Sequence, residues 1–151
     1  QMDTVTYPES KVVRFIEENF IPLRLLSDSK PYSEKYNVKW TPTLITLSPE
    51  AQEHHRTVGF LGPEELIPSL LLGLGKYHYE NDRFDEALAH LEQLVDGYGQ
   101  SGSVPEAIFL CGVCRYKRSH DPKPLKAAYE KLSTAFPDSE WTKRAYPYRL
   151  L

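Results

Sequence analysis

Trp40-Thr41-Pro42-Thr43 leads directly into the apolar run Leu44-Ile45-Thr46-Leu47, which Ser48-Pro49 closes. An aliphatic and β-branched run between two prolines predicts a short strand. The next run, His54 to Phe60, predicts a second strand, and the short connection between the two indicates a hairpin. A proline directly before a strand is either an ordinary trans residue or a cis residue, which usually marks a special backbone site.

Working outward from this hairpin, the preceding residues predict two helices and one strand. The apolar spacing from Ser10 to Phe20 is typical of an amphipathic helix. The run from Ile21 to Leu26 predicts a short buried strand, in which Pro22 lies near the start, where proline is tolerated. Pro31 to Tyr36 predicts a short helix. The predicted order of elements in the first part of the chain is therefore helix, strand, helix, strand and strand. The helix that begins at Pro63 follows them.

The remainder of the chain predicts helices only. Gly62-Pro63-Glu64-Glu65 is a helix start, because proline fits the first turn and acidic residues favour the positive end of the helix dipole. The expected helices are 63–79, 84–98, 105–119, 124–136 and 139–146. Ala87, Leu91 and Leu94 recur in the same order as Ala128, Leu132 and Ala135, and Leu74-Gly75 recurs as Cys111-Gly112. This degenerate pattern resembles tetratricopeptide repeats; the alternative is a plain bundle of helical hairpins.

The first part of the chain resembles the thioredoxin superfamily. The resemblance is carried by the order and spacing of the Thr-Pro strand among its neighbours, and it covers roughly residues 1 to 75. The supporting matches are Thr4 to Pro8, Val12 to Phe20, the strand from Ile21, Tyr36-Asn37-Val38, Gly59-Phe60-Leu61 and Pro63-Glu64-Glu65. Together with the helical tail, they are similar to bacterial thioredoxin-like proteins that carry a helical extension.

The resemblance implies a fold, a domain division and a binding site. The expected fold class is α/β, a partial thioredoxin-like mixed sheet with flanking helices, followed by an all-α tetratricopeptide-like tail. Residues 1–62 would form the thioredoxin-like region, 63–80 its closing helix and 81–151 the tail. Pro42 would be cis, Thr41 would offer its backbone to an extended substrate peptide, and Trp40 would lie in the same peptide-binding site.

The chain departs from the family in one respect that matters for chemistry. In that family a Cys-x-x-Cys motif follows the first core strand, and Gln1-Met2-Asp3 resembles the residues just after that motif. The first core strand would lie between the strands at Ile21 and Thr43. Without it, two strand edges would face a gap with unpaired backbone groups. We therefore expect residues upstream of those given, or a strand shared with another chain.

Cys111 and Cys114 have redox spacing but stand in a predicted helix. Two cysteines on one helix face are usually small core residues, which is the interpretation we favour. A redox or regulatory disulfide and a zinc site remain alternatives, although no further Cys or His pair completes a zinc site. His54 and His55 would point to opposite faces of a strand at a solvated edge. No metal site and no cofactor are expected.

Composition excludes several classes of function. The chain is 40% hydrophobic and 26% charged, as in a folded protein, and its net charge of −3 leaves no basic stripe for nucleic acid. The apolar run Leu70 to Leu74 is too short to cross a bilayer. The sequence does not distinguish a cytoplasmic from a periplasmic location.

Three functions remain. By resemblance, the whole protein would be a thiol–disulfide oxidoreductase whose cysteines lie upstream, so that this chain alone is inactive. Alternatively, the thioredoxin-like part is non-catalytic and the chain binds a protein or peptide through the Pro42 region and the helical tail. A structural adaptor without a peptide groove is the third possibility.

Overall fold

The computed structural model describes all residues from Gln1 to Leu151. It is a mixed α/β structure, with helices built around one small two-stranded antiparallel sheet. An N-terminal π-helical turn (Met2–Thr6) precedes the first helix, and a 3₁₀ turn (Tyr146–Leu150) follows the last. The regular elements are α1 (Ser10–Asn19), α2 (Tyr32–Lys35), β1 (Thr43–Leu47), β2 (Glu53–Val58), α3 (Pro63–Glu80), α4 (Phe84–Gly97), α5 (Val104–Ser119), α6 (Lys123–Ala135) and α7 (Glu140–Ala145).

The predicted hairpin is confirmed. β1 pairs antiparallel with β2, from Thr43 opposite Val58 to Thr46 opposite His55. Beyond Thr46 the register shifts, because Leu47 lies opposite Glu53 and leaves His54 as an extra residue. This is a β-bulge, in which two residues of one strand oppose a single residue of the other.

The predicted strand from Ile21 to Leu26 is wrong as an element of this structure. No regular structure spans residues 20–26, and residues 21–25 make no backbone hydrogen bond to any other backbone group. A strand exists only by pairing with a neighbour, and neither β1 nor β2 pairs with this segment. The predicted mixed sheet is therefore reduced to the hairpin.

The helical part of the chain follows the sequence pattern closely, with boundaries at most one residue from those expected. Consecutive helices pack against each other from α3 to α6, and α7 packs on α5 and α6. Small residues permit the closest approaches. A Cβ atom on Gly75 would lie 2.5 Å from Leu91 Cδ2, and one on Gly112 would lie 2.7 Å from Ala128 Cβ. The recurring small residues thus allow the paired helices of each helical hairpin to touch.

One continuous core joins the two parts of the chain. It contains 19 buried residues, from Met2 and Val12 near the N-terminus to Ala145 in α7. The helix α3 supplies Leu66, Ile67, Leu71 and Leu72 to this core and also carries the β1–β2 hairpin. It therefore connects the hairpin to the helical tail, and the position of the hairpin depends on how the hairpin packs on α3.

Candidate functional site

The Trp40–Pro42 segment leads into β1 and is largely exposed. The Thr41–Pro42 peptide bond is cis, as the resemblance implied. The Trp40 side chain is 70% exposed, and its carbonyl accepts a hydrogen bond from Thr43 Oγ1 at 2.6 Å. The Pro42 carbonyl accepts from the Gly59 amide at 2.8 Å, which extends the hairpin by one pair. The N–H and C=O of Thr41 make no hydrogen bond within the chain.

The outer edge of β1 also offers unpaired backbone groups. In an antiparallel ladder, hydrogen-bonded pairs alternate with pairs that turn their N–H and C=O groups outward. Because Pro42 and Gly59 form a hydrogen-bonded pair, Leu44 and Thr46 bond to β2, whereas Thr43 and Ile45 point to the opposite edge. No third strand covers that edge. Thr41, Thr43 and Ile45 thus follow one another as unpaired positions.

The segment that failed to form a strand is the most exposed apolar stretch of the chain. Residues 21–28 are all exposed, and this stretch carries Ile21 (97%), Leu23 (76%) and Leu26 (73%). Arg24 anchors it by a two-pronged ion pair to Asp3, with nitrogen–oxygen distances of 2.8 and 3.0 Å. Both partners of that pair are exposed, so it contributes little to stability. Large apolar side chains grouped in this way mark surfaces that another element covers.

The two cysteines are buried inside α5, as the helical pattern predicted, and neither forms a disulfide. Burial raises the pKa of the Cys111 thiol to about 12 and that of Cys114 to about 11. Thiol–disulfide exchange needs an accessible thiolate, so both thiols are inert at neutral pH. The structure does not bring them to Trp40, Thr41 or Pro42 as a joint site, because they lie in the helical core.

The prediction for His54 and His55 is wrong, because both histidines face α3. His54 Nδ1 lies 2.5 Å from Glu80 Oε2, and His55 Nε2 lies 3.1 Å from Ser69 Oγ. The β-bulge explains the difference, since the extra residue disturbs the strict alternation of side chains along β2. Nothing in the sequence marks the position of that bulge.

The sequence analysis did not predict a polar cleft that lies next to these histidines. It has a volume of about 490 Å³ and no hydrophobic lining residue. The ion pair between Lys76 of α3 and Glu106 of α5 spans 3.1 Å at this cleft. The other lining residues are Glu53, His54, His55 and Arg56, at the start of β2. Helical spacing of Ser69, Gly73 and Lys76 on α3 is the one sequence signal that could have indicated this polar face.

The other two histidines of this region are stacked rather than solvent-exposed. His78 of α3 and His90 of α4 lie with ring centroids 5.2 Å apart and 10° from parallel. Both are partly buried, which lowers the pKa of each below its ordinary value. Neither of these two rings is fully open to solvent, whereas His120 is exposed.

No group of three or more His, Cys, Asp or Glu side chains is arranged to hold a metal ion. None of the helices combines the length and the apolar character that crossing a membrane requires.

The chain matches no known family model, no curated protein and no solved structure. The candidate site is therefore defined by two structural features alone. These are the unpaired backbone groups of Thr41, Thr43 and Ile45, and the exposed apolar side chains of residues 21–26.

Proposed function

We propose that this chain is a thioredoxin-like protein-binding module with a tetratricopeptide-like tail, and that it receives an extended polypeptide segment along the outer edge of β1. The observation that carries the proposal is the row of unpaired backbone groups at Thr41, Thr43 and Ile45. A peptide that adds as a strand gains affinity from main-chain hydrogen bonds to such an edge.

The exposed apolar residues supply the second part of the argument. A strand laid beside β1 presents side chains to both faces of the sheet, and burying them requires apolar surfaces nearby. In the thioredoxin-like arrangement, the segment 21–26 would flank the added strand on its other side. Its exposed Ile21, Leu23 and Leu26, together with Trp40, would then become covered. Full burial of one such aliphatic side chain contributes about 1.5–3 kcal/mol.

A direct binding experiment tests the proposal. The probe is a capped heptapeptide of alternating valine and threonine, and its control is the same peptide N-methylated at every residue, so that neither of its two edges can pair. Indole emission from Trp40 should shift to shorter wavelength with the first peptide and not with the second, because N-methyl groups block strand pairing. The Trp40→Phe variant identifies which part of the emission belongs to this residue, since Trp141 is the only other indole.

Two matched surface variants distinguish peptide binding by the apolar segment from nonspecific hydrophobic adsorption. Leu23 and Leu150 are 76% and 77% exposed, so replacing either by Gln should leave the fold intact. We expect Leu23→Gln to weaken binding of the peptide at least several-fold and Leu150→Gln to leave it unchanged. Equal affinity of all three proteins, or equal binding of the N-methylated peptide, contradicts the proposal.

Thiol–disulfide exchange by the whole protein is the second candidate, and the resemblance around Thr41 and Pro42 is what favours it. The nucleophile would have to come from outside this chain, because Cys111 and Cys114 are buried and have raised pKa values. We expect no insulin reduction by residues 1–151 alone. Reduction by a longer protein that carries Cys-x-x-Cys before Gln1 would support this candidate, and its failure there would leave the binding function alone.

A further inference from the structure

The contact between the β1–β2 hairpin and α3 is unusually polar. The only buried residues of the two strands are Thr46 and His54, and both are polar. Leu44 adds one partly buried apolar contact with the core. By contrast, the contact between α3 and α4 includes Leu71, Leu91 and other fully buried aliphatic side chains. Segments with few buried apolar contacts open locally before the rest of a protein unfolds, so the hairpin is the part of this region that opens most easily.

His55 stands at the centre of the hairpin–α3 contact. Its Nε2 lies 3.1 Å from Ser69 Oγ on α3, and Thr57 Oγ1 lies 2.8 Å from the same oxygen. Burial is the main cause that lowers the pKa of His55, from 6.5 to about 4, and Lys76 adds to the effect. The imidazole is therefore neutral when the hairpin is docked, and it regains its ordinary proton affinity when the hairpin comes away.

No free counter-charge is available to a protonated His55. Lys76 of α3 carries the same sign and is paired with Glu106 of α5. Glu53 and Arg56, on the strand of His55 itself, are paired with each other by two contacts of 2.7 Å. The neighbouring His54 differs, since Glu80 lies 2.5 Å from its Nδ1 and supplies a counter-charge. His55 is therefore the residue at this contact whose protonation opposes docking.

We propose that the hairpin is an acid-operated flap, which lies on α3 at neutral pH and releases from it when His55 takes up a proton. The expected size of the effect follows from the two proton affinities of His55, with pKa about 4 docked and 6.5 released. Stability of docking is fully present above pH 6.5 and is lost as the pH falls toward 4, because the released state binds the proton more tightly. Between pH 7.5 and 5, the open fraction should rise roughly 30-fold.

Backbone amide exchange measures this opening directly. The amides of Leu44, Thr46, His55 and Thr57 bond across the hairpin, and an isolated two-stranded hairpin is marginal in water. After correction for intrinsic exchange, their protection should fall roughly 30-fold from pH 7.5 to 5, while the amide of Leu91 in α4 keeps its protection. His55→Gln retains a side-chain amide toward Ser69 but cannot gain a charge, so its hairpin protection should not depend on pH in this range. His120→Gln alters an exposed histidine and should behave as the original protein.

Two results would overturn the proposal: a change of less than about 3-fold in the original protein, which is a tenth of the expected effect, or an equal acid response in His55→Gln. Should His55→Gln fail to fold, NMR titration of the His55 ring in the original protein decides instead. A midpoint well below 6.5 supports the flap, and one near 6.5 rules it out. Because β1 carries the proposed binding edge, release should also weaken peptide binding in acid. That consequence alone rests on the proposed function, and amide exchange without peptide tests the flap independently.

Discussion

Replacement of Gly73 by alanine tests how closely the hairpin lies on α3. A Cβ atom at this position would lie 2.5 Å from Thr46 Oγ1, 3.1 Å from Thr46 Cβ and 3.3 Å from His55 Cβ. Contacts this short force the hairpin outward, and overpacking of this kind costs about 1–3 kcal/mol. Alanine is favoured over glycine inside a helix by about 0.8–1 kcal/mol. The net effect of Gly73→Ala should therefore be a loss of about 0–2 kcal/mol in the free energy of unfolding.

The chain offers a matched control in Gly97, the last residue of α4, where an added Cβ would meet no atom within 4 Å. Gly97→Ala should leave stability unchanged or raise it by up to about 1 kcal/mol. Urea unfolding followed by circular dichroism gives both values.

A double-mutant cycle makes the reasoning sharper. Thr46→Ala removes the oxygen that lies closest to the added methyl group. In the Thr46→Ala background, Gly73→Ala should be less costly by about 1 kcal/mol or more, a coupling typical of residues in contact. Equal stabilisation by Gly73→Ala and Gly97→Ala, with no coupling to Thr46, would refute the close packing of β1 on α3.

Two further predictions concern the helical tail. Cys111 and Cys114 should not react with a thiol reagent at pH 8 in the folded protein and should both react after unfolding, because burial raises their pKa values; rapid labelling of the folded protein would contradict this. Ser139→Ala should lower the free energy of unfolding by about 1 kcal/mol, because Ser139 Oγ accepts a hydrogen bond from the Trp141 amide at the start of α7. Ser103→Ala at the start of α5 is the control, because the Ser103 side chain makes no such cap. Equal effects of the two changes on the free energy of unfolding would count against the cap.

The helices and the hairpin could be predicted from sequence because each depends on local signals. Pro63 with Glu64 and Glu65 begins α3, and Pro105 lies in the first turn of α5, so helix starts were found within one residue. The pairing of β1 with β2 followed from two short runs rich in β-branched residues and a short connection. These elements carry their own signals of start, face and end.

The misses concern features that depend on contacts between residues far apart in the chain. The run from Ile21 to Leu26 has the composition of a strand, but a strand requires a neighbour, and this chain provides none. The bulge at His54 lies in the strand that packs on α3, and no local pattern marks its position. The polar cleft likewise joins β2, α3 and α5, which no local pattern brings together.

The exchange rates of the Thr43 and Ile45 amides, with and without the valine–threonine peptide, test the central claim most directly. The account predicts that both amides exchange readily in the free protein and become protected when the peptide binds, while Leu44 and Thr46 change little because they already bond to β2. Protection of Thr43 and Ile45 in the free protein, or peptide binding that leaves their exchange unchanged, would contradict strand addition at the edge of β1.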